Sequence, residues 1–260
     1  MHSIEARSLV KTYPAPRNKP RIRALDGLDL TVEPGTIFAL VGPNGAGKTT
    51  AVKILTTLAT ADEGTATVEG IDVRTHPAQA RRVIGVVGQR SGADPMATGR
   101  ENLNLQGHLY GMATKAARTR ADELLEHFQL GDAARRFVRT YSGGMQRRLD
   151  VALGLMHRPA VLFLDEPTTG LDPESRTAMW QEITRLAADD QVTVLLTTHY
   201  LDEADRLAER LAIVDHGRVV AEGEPGQLKA ELGAPSLDEV YLHYAGRRYS
   251  DAQRLTEVFK

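Results

Sequence analysis

Residues 42–50 read Gly-Pro-Asn-Gly-Ala-Gly-Lys-Thr-Thr, and this stretch decides more about the fold than any other. An apolar run at residues 37–41 precedes it, and a helix-permissive run at residues 50–58 follows it. Strand, glycine-rich loop and helix form the context in which G-x-x-x-x-G-K-[ST] marks a phosphate-binding P-loop. The glycines let backbone N–H groups face an anion, and the helix N-terminus adds its positive end. An ordinary glycine-rich turn is disfavoured because the loop, the strand before it and the helix after it all match a P-loop.

Two side chains of the P-loop carry candidate chemistry. Lys48 is placed to reach the β- and γ-phosphates of a nucleotide, and the hydroxyl of Thr49 is placed to bind Mg²⁺. The sequence therefore predicts a nucleotide with Mg²⁺ as the ligands of this loop. The candidate nucleotide-binding residues of the loop are Gly42, Pro43, Asn44, Gly45, Ala46, Gly47, Lys48, Thr49 and Thr50.

Composition limits the class of protein. The chain has 260 residues, enough for one large domain or one domain with an appendage, and its net charge of −2 gives no sign of a nucleic-acid binder. The absence of cysteine excludes disulfides and a zinc–thiolate site. The N-terminus lacks the apolar core of a signal peptide, and no apolar run approaches the ~18 residues that span a bilayer. We therefore expect a cytoplasmic protein whose membrane role, if any, comes through a partner.

The rest of the chain alternates strand-like and helical patterns. Strand-like runs cover residues 4–10, 25–32, 64–72, 82–87, 160–164, 192–196 and 212–214. Helical patterns cover residues 98–137, 145–156, 201–211 and a segment that begins at residue 172. The runs at 160–164 and 192–196 are apolar throughout, which is typical of parallel strands buried on both faces. The Pro-rich residues 14–20 are interpreted as a solvated hairpin tip.

This order predicts an α/β fold in which a parallel core is interrupted by a helical insertion at about residues 90–155. Within the insertion, Thr98 and Glu101 have the spacing of a capping box at a helix start. Residues after about 222 contain several glycines and prolines and are interpreted as an appendage. Ser236 and Glu239 repeat the capping-box spacing there.

A second candidate site lies where the apolar strand at residues 160–164 ends in Asp165 and Glu166. Ligands of α/β proteins bind at the carboxyl ends of the strands, so both carboxylates are expected to point toward the P-loop. Asp165 suits the shell of Mg²⁺, and Glu166 suits the attacking water as a base or an orienting group. An acidic strand end is common by itself, and the neighbouring P-loop is what favours the catalytic interpretation.

Residues 141–148, Tyr-Ser-Gly-Gly-Met-Gln-Arg-Arg, contain a second glycine-rich helix start. A helix N-terminus built from Ser142, Gly143 and Gly144 can face an anion. Because the P-loop already holds one nucleotide, a second anion site makes sense if it caps a nucleotide held by another copy of the chain. The alternative is a plain helix N-cap at Ser142. Nearby arginines are interpreted as a solvated face, with attraction of nucleotide phosphates or of membrane headgroups as the alternative; they are Arg135, Arg136, Arg139, Arg147 and Arg148.

Six features in chain order resemble the ATPase subunit of ABC transporters. They are the P-loop, Gln89, Ser142-Gly143-Gly144, Asp165-Glu166, Gly170-Leu171-Asp172 and His199. The resemblance covers nearly all of residues 3–220 and implies a P-loop NTPase with a RecA-like parallel sheet core, an N-terminal antiparallel β-subdomain and an inserted helical subdomain. It implies a nucleotide-binding domain at residues 1–221 and a C-terminal extension at residues 222–260. The implied ligands are ATP and Mg²⁺.

The resemblance also implies roles for single residues. Gln89 is similar to the residue that joins the Mg²⁺ shell to the helical insertion, and Asp172 to the loop residue that contacts the opposing subunit. His199 resembles the switch histidine that bonds the γ-phosphate. The implied catalytic set is Lys48, Glu166 and His199. The implied metal set is Thr49, Gln89 and Asp165.

Tyr13 is similar to the aromatic residue that stacks on adenine, with a packed strand tyrosine as the alternative. The commonest family signature is Leu-Ser-Gly-Gly-Gln, whereas this chain has Tyr141 first and Met145 last. The Ser-Gly-Gly centre is intact, but Met145 cannot make the amide hydrogen bonds that a glutamine would make to nucleotide. The Tyr/Met form, together with residues 98–103 and 237–242, resembles the daunorubicin-resistance-like branch of drug-export ATPases.

The resemblance implies an ATP-hydrolysing exporter subunit. Two copies would sandwich two ATP molecules, each between one P-loop and the other copy's Ser142-Gly143-Gly144. Movement would pass through Gln89 and residues 90–110 to a separate membrane permease for drug or antibiotic efflux. The protein is then expected as a homodimer on ATP binding, at the cytoplasmic face of the cell membrane and without nucleic acid. Export of polysaccharide stays open.

Two alternatives are disfavoured. A soluble ABC-type ATPase acting on ribosomes or DNA usually carries two such domains or long coiled coils, and this chain has one P-loop and no heptad insertion. A catalytically inactive regulatory module is disfavoured because Lys48, Asp165, Glu166 and His199 are all present. Residues 222–260 either pack on the partner copy or regulate it.

Overall fold

The computed structural model describes residues 2–14 and 21–245. In these ranges the strands are β1 (Ile4–Tyr13), β2 (Ile22–Val32), β3 (Ile37–Val41), β4 (Glu63–Val68), β5 (Ile71–Asp72), β6 (Ile84–Val87), β7 (Val161–Asp165), β8 (Thr193–Thr198), β9 (Arg210–Asp215) and β10 (Arg218–Gly223). The helices are α1 (Lys48–Leu55), α2 (Pro77–Val83), α3 (Gly99–Leu109), α4 (Thr114–His127), α5 (Gly143–Gly154), α6 (Pro173–Ala188), α7 (Leu201–Leu207), α8 (Pro225–Leu232) and α9 (residues 237–245). A single 3₁₀ turn covers Val138–Thr140.

The larger sheet has six strands in the order β10-β9-β3-β8-β7-β6. Neighbours from β9 to β6 are parallel, and β10 is an antiparallel edge strand. Every residue of β3, β7 and β8 is buried, which is the burial expected of central strands covered on both faces. The carboxyl ends of β3, β7 and β8 therefore lie side by side at one edge, where both candidate sites begin.

The smaller sheet has four antiparallel strands in the order β2-β1-β4-β5. Its apolar face and α1 share one buried cluster with one face of the larger sheet, including Leu9, Leu28, Phe38 and Ile54. The strands Ile4–Val10 and Leu25–Val32 expected from the sequence are thus present, and both are longer than expected. Beyond Pro14, the Pro-rich loop lies outside the described residues.

Three helices and the 3₁₀ turn, α3 to α5, lie between β6 and β7. The expected capping box is present, because the Thr98 side chain accepts from the Glu101 backbone N–H while the Glu101 carboxylate accepts from Thr98. The helical pattern expected at 98–137 is present as two helices, α3 and α4. Gly111, with φ +77°, turns the chain back after α3, and α4 begins three residues later.

Several expected boundaries were wrong for local reasons. The run at 64–72 splits into β4 and β5, because Glu69 and Gly70 take positive φ values of 50° and 70° and form a turn. Helix α2, with Pro77 at its first turn, was missed, so β6 begins later than expected. The helix expected to reach residue 211 stops at Leu207.

The C-terminal part of the described chain is attached to the core. Strand β10 pairs with β9 and runs through residue 222, the point at which an extension was expected to begin. Leu228 in α8 and Leu237 and Val240 in α9 are buried in the main hydrophobic cluster. The division at residues 221 and 222 stays a prediction, and residues 246–260 lie outside the described part of the chain.

Candidate nucleotide-binding and catalytic site

The P-loop connects the end of β3 to the start of α1, and two of its glycines have no room for a side chain. A Cβ on Gly47 would lie 2.5 Å from the carbonyl oxygen of Ala24, and the residue has φ +112° at the N-cap of α1. A Cβ on Gly42 would lie 2.3 Å from the carbonyl oxygen of Val214. Glycine at these positions lets the loop pack against its neighbours.

Lys48, the first residue of α1, folds back over the loop. Its ammonium donates to the carbonyl oxygens of Gly42 at 2.6 Å and Pro43 at 3.1 Å, and only 5% of the residue is exposed. Burial lowers the pKa of Lys48, while the carboxylates of Glu166 and Asp165 act in the opposite direction. The sequence separates Lys48 from these two acids by more than a hundred residues, and the fold brings their charges together.

Asp165 lies at the end of β7 and is almost fully buried. Its Oδ1 accepts from the hydroxyl of Thr197 at 2.5 Å and from the hydroxyl of Thr49 at 3.3 Å. Mg²⁺ prefers oxygen ligands and keeps several waters in addition to a few protein groups and substrate phosphates. The juxtaposed oxygens of Thr49 and Asp165 are therefore of the chemical type that this metal requires.

Glu166 follows with a backbone that is unusual for a side-chain-bearing residue, at φ +51°. Its N–H is satisfied by Thr197, whose carbonyl oxygen lies at 3.1 Å and whose hydroxyl lies at 3.2 Å. One carboxylate oxygen lies 3.3 Å from Nδ1 of His199, and the other accepts from the hydroxyl of Thr169 at 3.3 Å. Glu166 and His199 thus come from two adjacent strand ends and meet at their side chains.

A cavity of about 310 Å³ lies over the P-loop, and we call it the nucleotide pocket. It brings together Tyr13, Gln89 and Glu166 with the loop itself. Its lining residues are Tyr13, Ile22, Ala24, Pro43, Asn44, Gly45, Gly47, Lys48, Thr49, Thr50, Gln89 and Glu166. An aromatic ring, a cradle of backbone amides, a lysine and a carboxylate at one cavity form a suitable environment for a purine nucleotide with its phosphates.

The remaining predicted residues lie elsewhere, on what we call the signature face: residues 142–145 together with residues 170–172. Ser142 caps α5 by accepting from the Met145 N–H at 3.3 Å, and Asp172 caps α6 by accepting from the N–H of Ser175 at 2.9 Å. The two helix starts touch, because a Cβ on Gly144 would lie 2.5 Å from the Ser175 hydroxyl oxygen. Ser142, Gly143 and Asp172 are exposed. In the part of the chain that the structure describes, none of the signature face lines the nucleotide pocket.

Sequence reasoning missed three side chains that support the site. Thr197 donates to Asp165 and accepts from the backbone N–H of Glu166. The pair Thr197-Thr198 at the end of an apolar strand is the sequence signal that could have revealed it. Glu203 is fully buried and accepts from Thr168 at 2.7 Å and from the indole N–H of Trp180 at 3.0 Å. Arg147 was interpreted as part of a solvated face, and this was wrong because only 7% of the residue is exposed.

Comparison with known proteins decides the family. The sequence model described as ABC transporter matches residues 25–169, more than half of the chain. The chain belongs to the ABC transporter family. The ABC chain is 51% identical over 253 residues to the daunorubicin/doxorubicin resistance ATP-binding protein of Streptomyces peucetius, a match that covers 97% of this chain and 74% of the relative. It is 44% identical over 218 residues to the Nod factor export ATP-binding protein I of Burkholderia thailandensis, covering 84% and 71% of the two chains.

Solved structures agree with this assignment. A dimeric ATP-binding cassette in a post-hydrolysis state, bound to ADP and Pi, superposes with a TM-score of 0.77 at 28% identity, covering 85% of this chain and 98% of the other. The expected α/β fold of a P-loop NTPase is therefore confirmed, as is the resemblance to the drug-export branch. As a member of the family, the ABC chain binds and hydrolyses ATP in transport. No helix in residues 2–14 and 21–245 is both long and apolar enough to cross a membrane.

Proposed function

We propose that the ABC chain is the ATPase subunit of a drug exporter, that it closes as a homodimer around two ATP molecules, and that it drives a separate membrane permease. The observation that carries the proposal is that P-loop residues, Gln89 and Glu166 line the nucleotide pocket, whereas Ser142, Gly143 and Asp172 are exposed and do not line it. A pocket with phosphate-binding groups on one side only would be completed by the signature face of a second copy. Among solved relatives, a dimeric cassette holds ADP and Pi.

Within one chain, the pocket binds the nucleotide and prepares the attacking water. Backbone N–H groups of the P-loop and the ammonium of Lys48 hold the phosphates, and Tyr13 stacks on the base. Glu166 accepts the proton of a water that attacks the γ-phosphorus, and the bond from that phosphorus to the β-γ bridging oxygen breaks. His199, 3.3 Å from Glu166, holds the γ-phosphate in line. When bound at Thr49, Asp165 and Gln89, Mg²⁺ supplies Lewis-acid stabilisation of the phosphate charge.

Across the dimer, Ser142 and the N–H groups of Gly143 and Gly144 meet the γ-phosphate of the opposing nucleotide, and Asp172 lies at the contact between copies. Such contacts exist only in the closed state, so ATP binds that state better than the open one. Loss of the γ-phosphate after hydrolysis removes the difference, and the dimer reopens.

A docking surface for the permease lies next to Gln89. Val86, three residues before Gln89, is 37% exposed, and Leu105 and Leu109, one turn apart on α3, are 56% and 73% exposed. Two exposed leucines on one face of a helix are the kind of apolar surface that another protein can cover. We propose that the permease binds here and holds the ABC chain at the cytoplasmic face of the membrane. The drug class follows from the relative named for daunorubicin and doxorubicin resistance.

The test is the mass in solution of the Glu166→Gln variant, measured by light scattering with and without Mg-ATP. We expect a monomer that becomes a dimer on adding Mg-ATP, with turnover lowered at least about 100-fold by loss of the general base. Glu231→Gln, an exposed acid in α8, is the matched control and should keep parental turnover. Parental turnover in Glu166→Gln would contradict the role of Glu166, and a monomer at saturating Mg-ATP would contradict the nucleotide sandwich.

A further inference from the structure

Arg147 projects from the second turn of α5, the helix that begins at the signature face, into the interior. Its guanidinium donates to three backbone carbonyl oxygens: Nε to Pro167 at 2.7 Å, Nη1 to Gly88 at 2.6 Å and Nη2 to Asp165 at 3.2 Å. One side chain therefore joins the signature helix to the ends of both β6 and β7. The planar fork of arginine can make these three bonds at once, whereas a lysine ammonium is a single point charge.

Two of these carbonyls flank Glu166. Asp165 precedes it, Pro167 follows it, and Glu166 itself has φ +51°. A non-glycine residue in this region is strained, and it persists only where its surroundings hold it there. Arg147 pins the chain on both sides of the strained residue, while Thr197 binds its N–H. The backbone of Glu166 is thus fixed from two directions.

The third carbonyl, that of Gly88, immediately precedes Gln89. One helical turn after Arg147, Asp150 holds the other end of the same loop, because its Oδ1 accepts from the Ser91 hydroxyl at 2.8 Å and from the Gly92 N–H at 3.1 Å. Two buried charges on one face of α5 therefore clamp the loop that carries Gln89.

Both members of this clamp are buried at an electrostatic cost. Burial lowers the pKa of Arg147 and raises the pKa of Asp150, and Asp150, Asp165 and Glu203 partly offset the effect at Arg147. Guanidinium groups stay protonated under such conditions. Buried charges of this kind are weak evidence for stability, and a hydrophobic pair is often as stable. The geometry instead favours a role in holding particular backbone groups.

We infer that Arg147 is a positioning residue for ATP hydrolysis, linking the signature helix to the backbone around Glu166 and to the loop of Gln89. The inference rests on the roles proposed above for Glu166 and Gln89. When the signature face of one copy meets the nucleotide of the other, a displacement of α5 reaches Glu166 of the same chain through this guanidinium. The two nucleotide sites of the dimer are coupled by this route.

The first measurement compares Arg147→Gln with the parent protein. We expect ATP affinity within about twofold, because no atom of Arg147 lines the nucleotide pocket. We expect kcat to fall at least about tenfold, because a displacement of about 1 Å at a reacting group can cost that much or more. Arg147→Lys keeps the buried positive charge, so the variant should fold. Its single nitrogen cannot reach all three carbonyl oxygens, so its kcat should lie between those of Arg147→Gln and the parent. Thermal unfolding measures the folded fraction of each variant.

The matched control is Arg148→Gln. Arg148 is the next residue of α5, and its guanidinium donates to the carbonyl oxygen of Phe128 at 3.1 Å, on the side of the helical insertion. We expect this variant to keep parental kcat. Emission of Trp180, the single tryptophan of the chain, reports whether its hydrogen bond to Glu203 beside this region is intact.

A double-mutant cycle separates positioning from general damage. Because one route of Arg147 passes through Glu166, Arg147→Gln should cost less single-turnover hydrolysis in the Glu166→Gln background than in the parent. The inference is overturned if the losses of the two single variants multiply in full in the double variant. Parental kcat in Arg147→Gln also overturns it, as does a drop in ATP affinity as large as the drop in kcat. Parental hydrolysis in Glu166→Gln itself overturns the proposed role of Glu166 and the inference with it. If hydrolysis is lost in Glu166→Gln but kept in Arg147→Gln, the inference about Arg147 is overturned while the proposed role of Glu166 stands.

Discussion

The P-loop and the signature face are built alike and placed differently. Each is a glycine-containing start of a helix, but α1 has no side-chain cap at Gly47, whereas α5 is capped by Ser142. The P-loop lies under a pocket and carries a buried lysine whose charge is favoured by the carboxylates of Glu166 and Asp165. The signature face has no such enclosure, since Ser142 and Gly143 are exposed. The same local device therefore lines a pocket in the first place and lies on an exposed surface in the second.

The largest effect on nucleotide binding is expected from Lys48→Ala, which removes the ammonium group of the P-loop from the nucleotide pocket. A charged hydrogen bond is worth about 1.5–3 kcal/mol, so ATP affinity should fall roughly 10- to 150-fold. Isothermal titration with Mg-ATP measures the loss. The control is Lys53→Ala, an exposed lysine of the same helix, which should bind ATP like the parent. Retained tight binding in Lys48→Ala would contradict the role of the P-loop lysine.

An effect of similar size, but confined to dimer formation, is expected from Gly143→Asp on the signature face. The nearest atom to a Cβ at this position is Leu171 Cδ2, 4.0 Å away, so the monomer should fold. A carboxylate there would face the partner's γ-phosphate, and like charges at this range repel by about 1–4 kcal/mol. In the Glu166→Gln background, we expect ATP affinity of the monomer to be kept and the ATP-induced dimer to be lost in light scattering.

Gly226→Asp is the control for this variant. Gly226 also lies in the first turn of a helix, a Cβ there meets no atom within 4 Å, and the residue is far from the signature face in sequence. This variant should dimerise with ATP like its Glu166→Gln parent. If Gly143→Asp also dimerised normally, the signature face would not be the second half of the site.

Much of the fold was readable from the sequence because its central strands are continuous apolar runs. β3, β7 and β8 were found within one or two residues, since strands buried on both faces need apolar side chains throughout. Edge elements were harder. β10 is partly exposed and has no such run. The turn at Glu69 places a non-glycine residue at positive φ, which its residue type does not signal.

The candidate site likewise had a part that the sequence predicted and a part that it did not. The P-loop and the pair Asp165-Glu166 are each marked by a sequence motif, and the fold places them together at the carboxyl ends of the strands. Their roles stay predictions until variants are measured. Arg147 was misread because a run of arginines at helix spacing looks solvated, and only the packing of α5 against two strand ends reveals the exception. Long-range contacts to backbone carbonyls leave no pattern in the sequence.

The smallest effect is expected from Tyr141→Phe, which tests how the signature face is anchored. The buried Tyr141 hydroxyl donates to the carbonyl oxygen of Ala133 at 2.8 Å, and the variant removes the donor while keeping the ring. An unsatisfied buried acceptor costs about 1–3 kcal/mol, so urea unfolding should show a loss of that size, with ATP affinity unchanged because the P-loop is separate. Tyr110→Phe, whose ring stacks on His157, should keep parental stability. Equal stability of Tyr141→Phe and the parent would mean that packing of the ring alone, and not its hydroxyl, holds the start of α5 against the helical insertion.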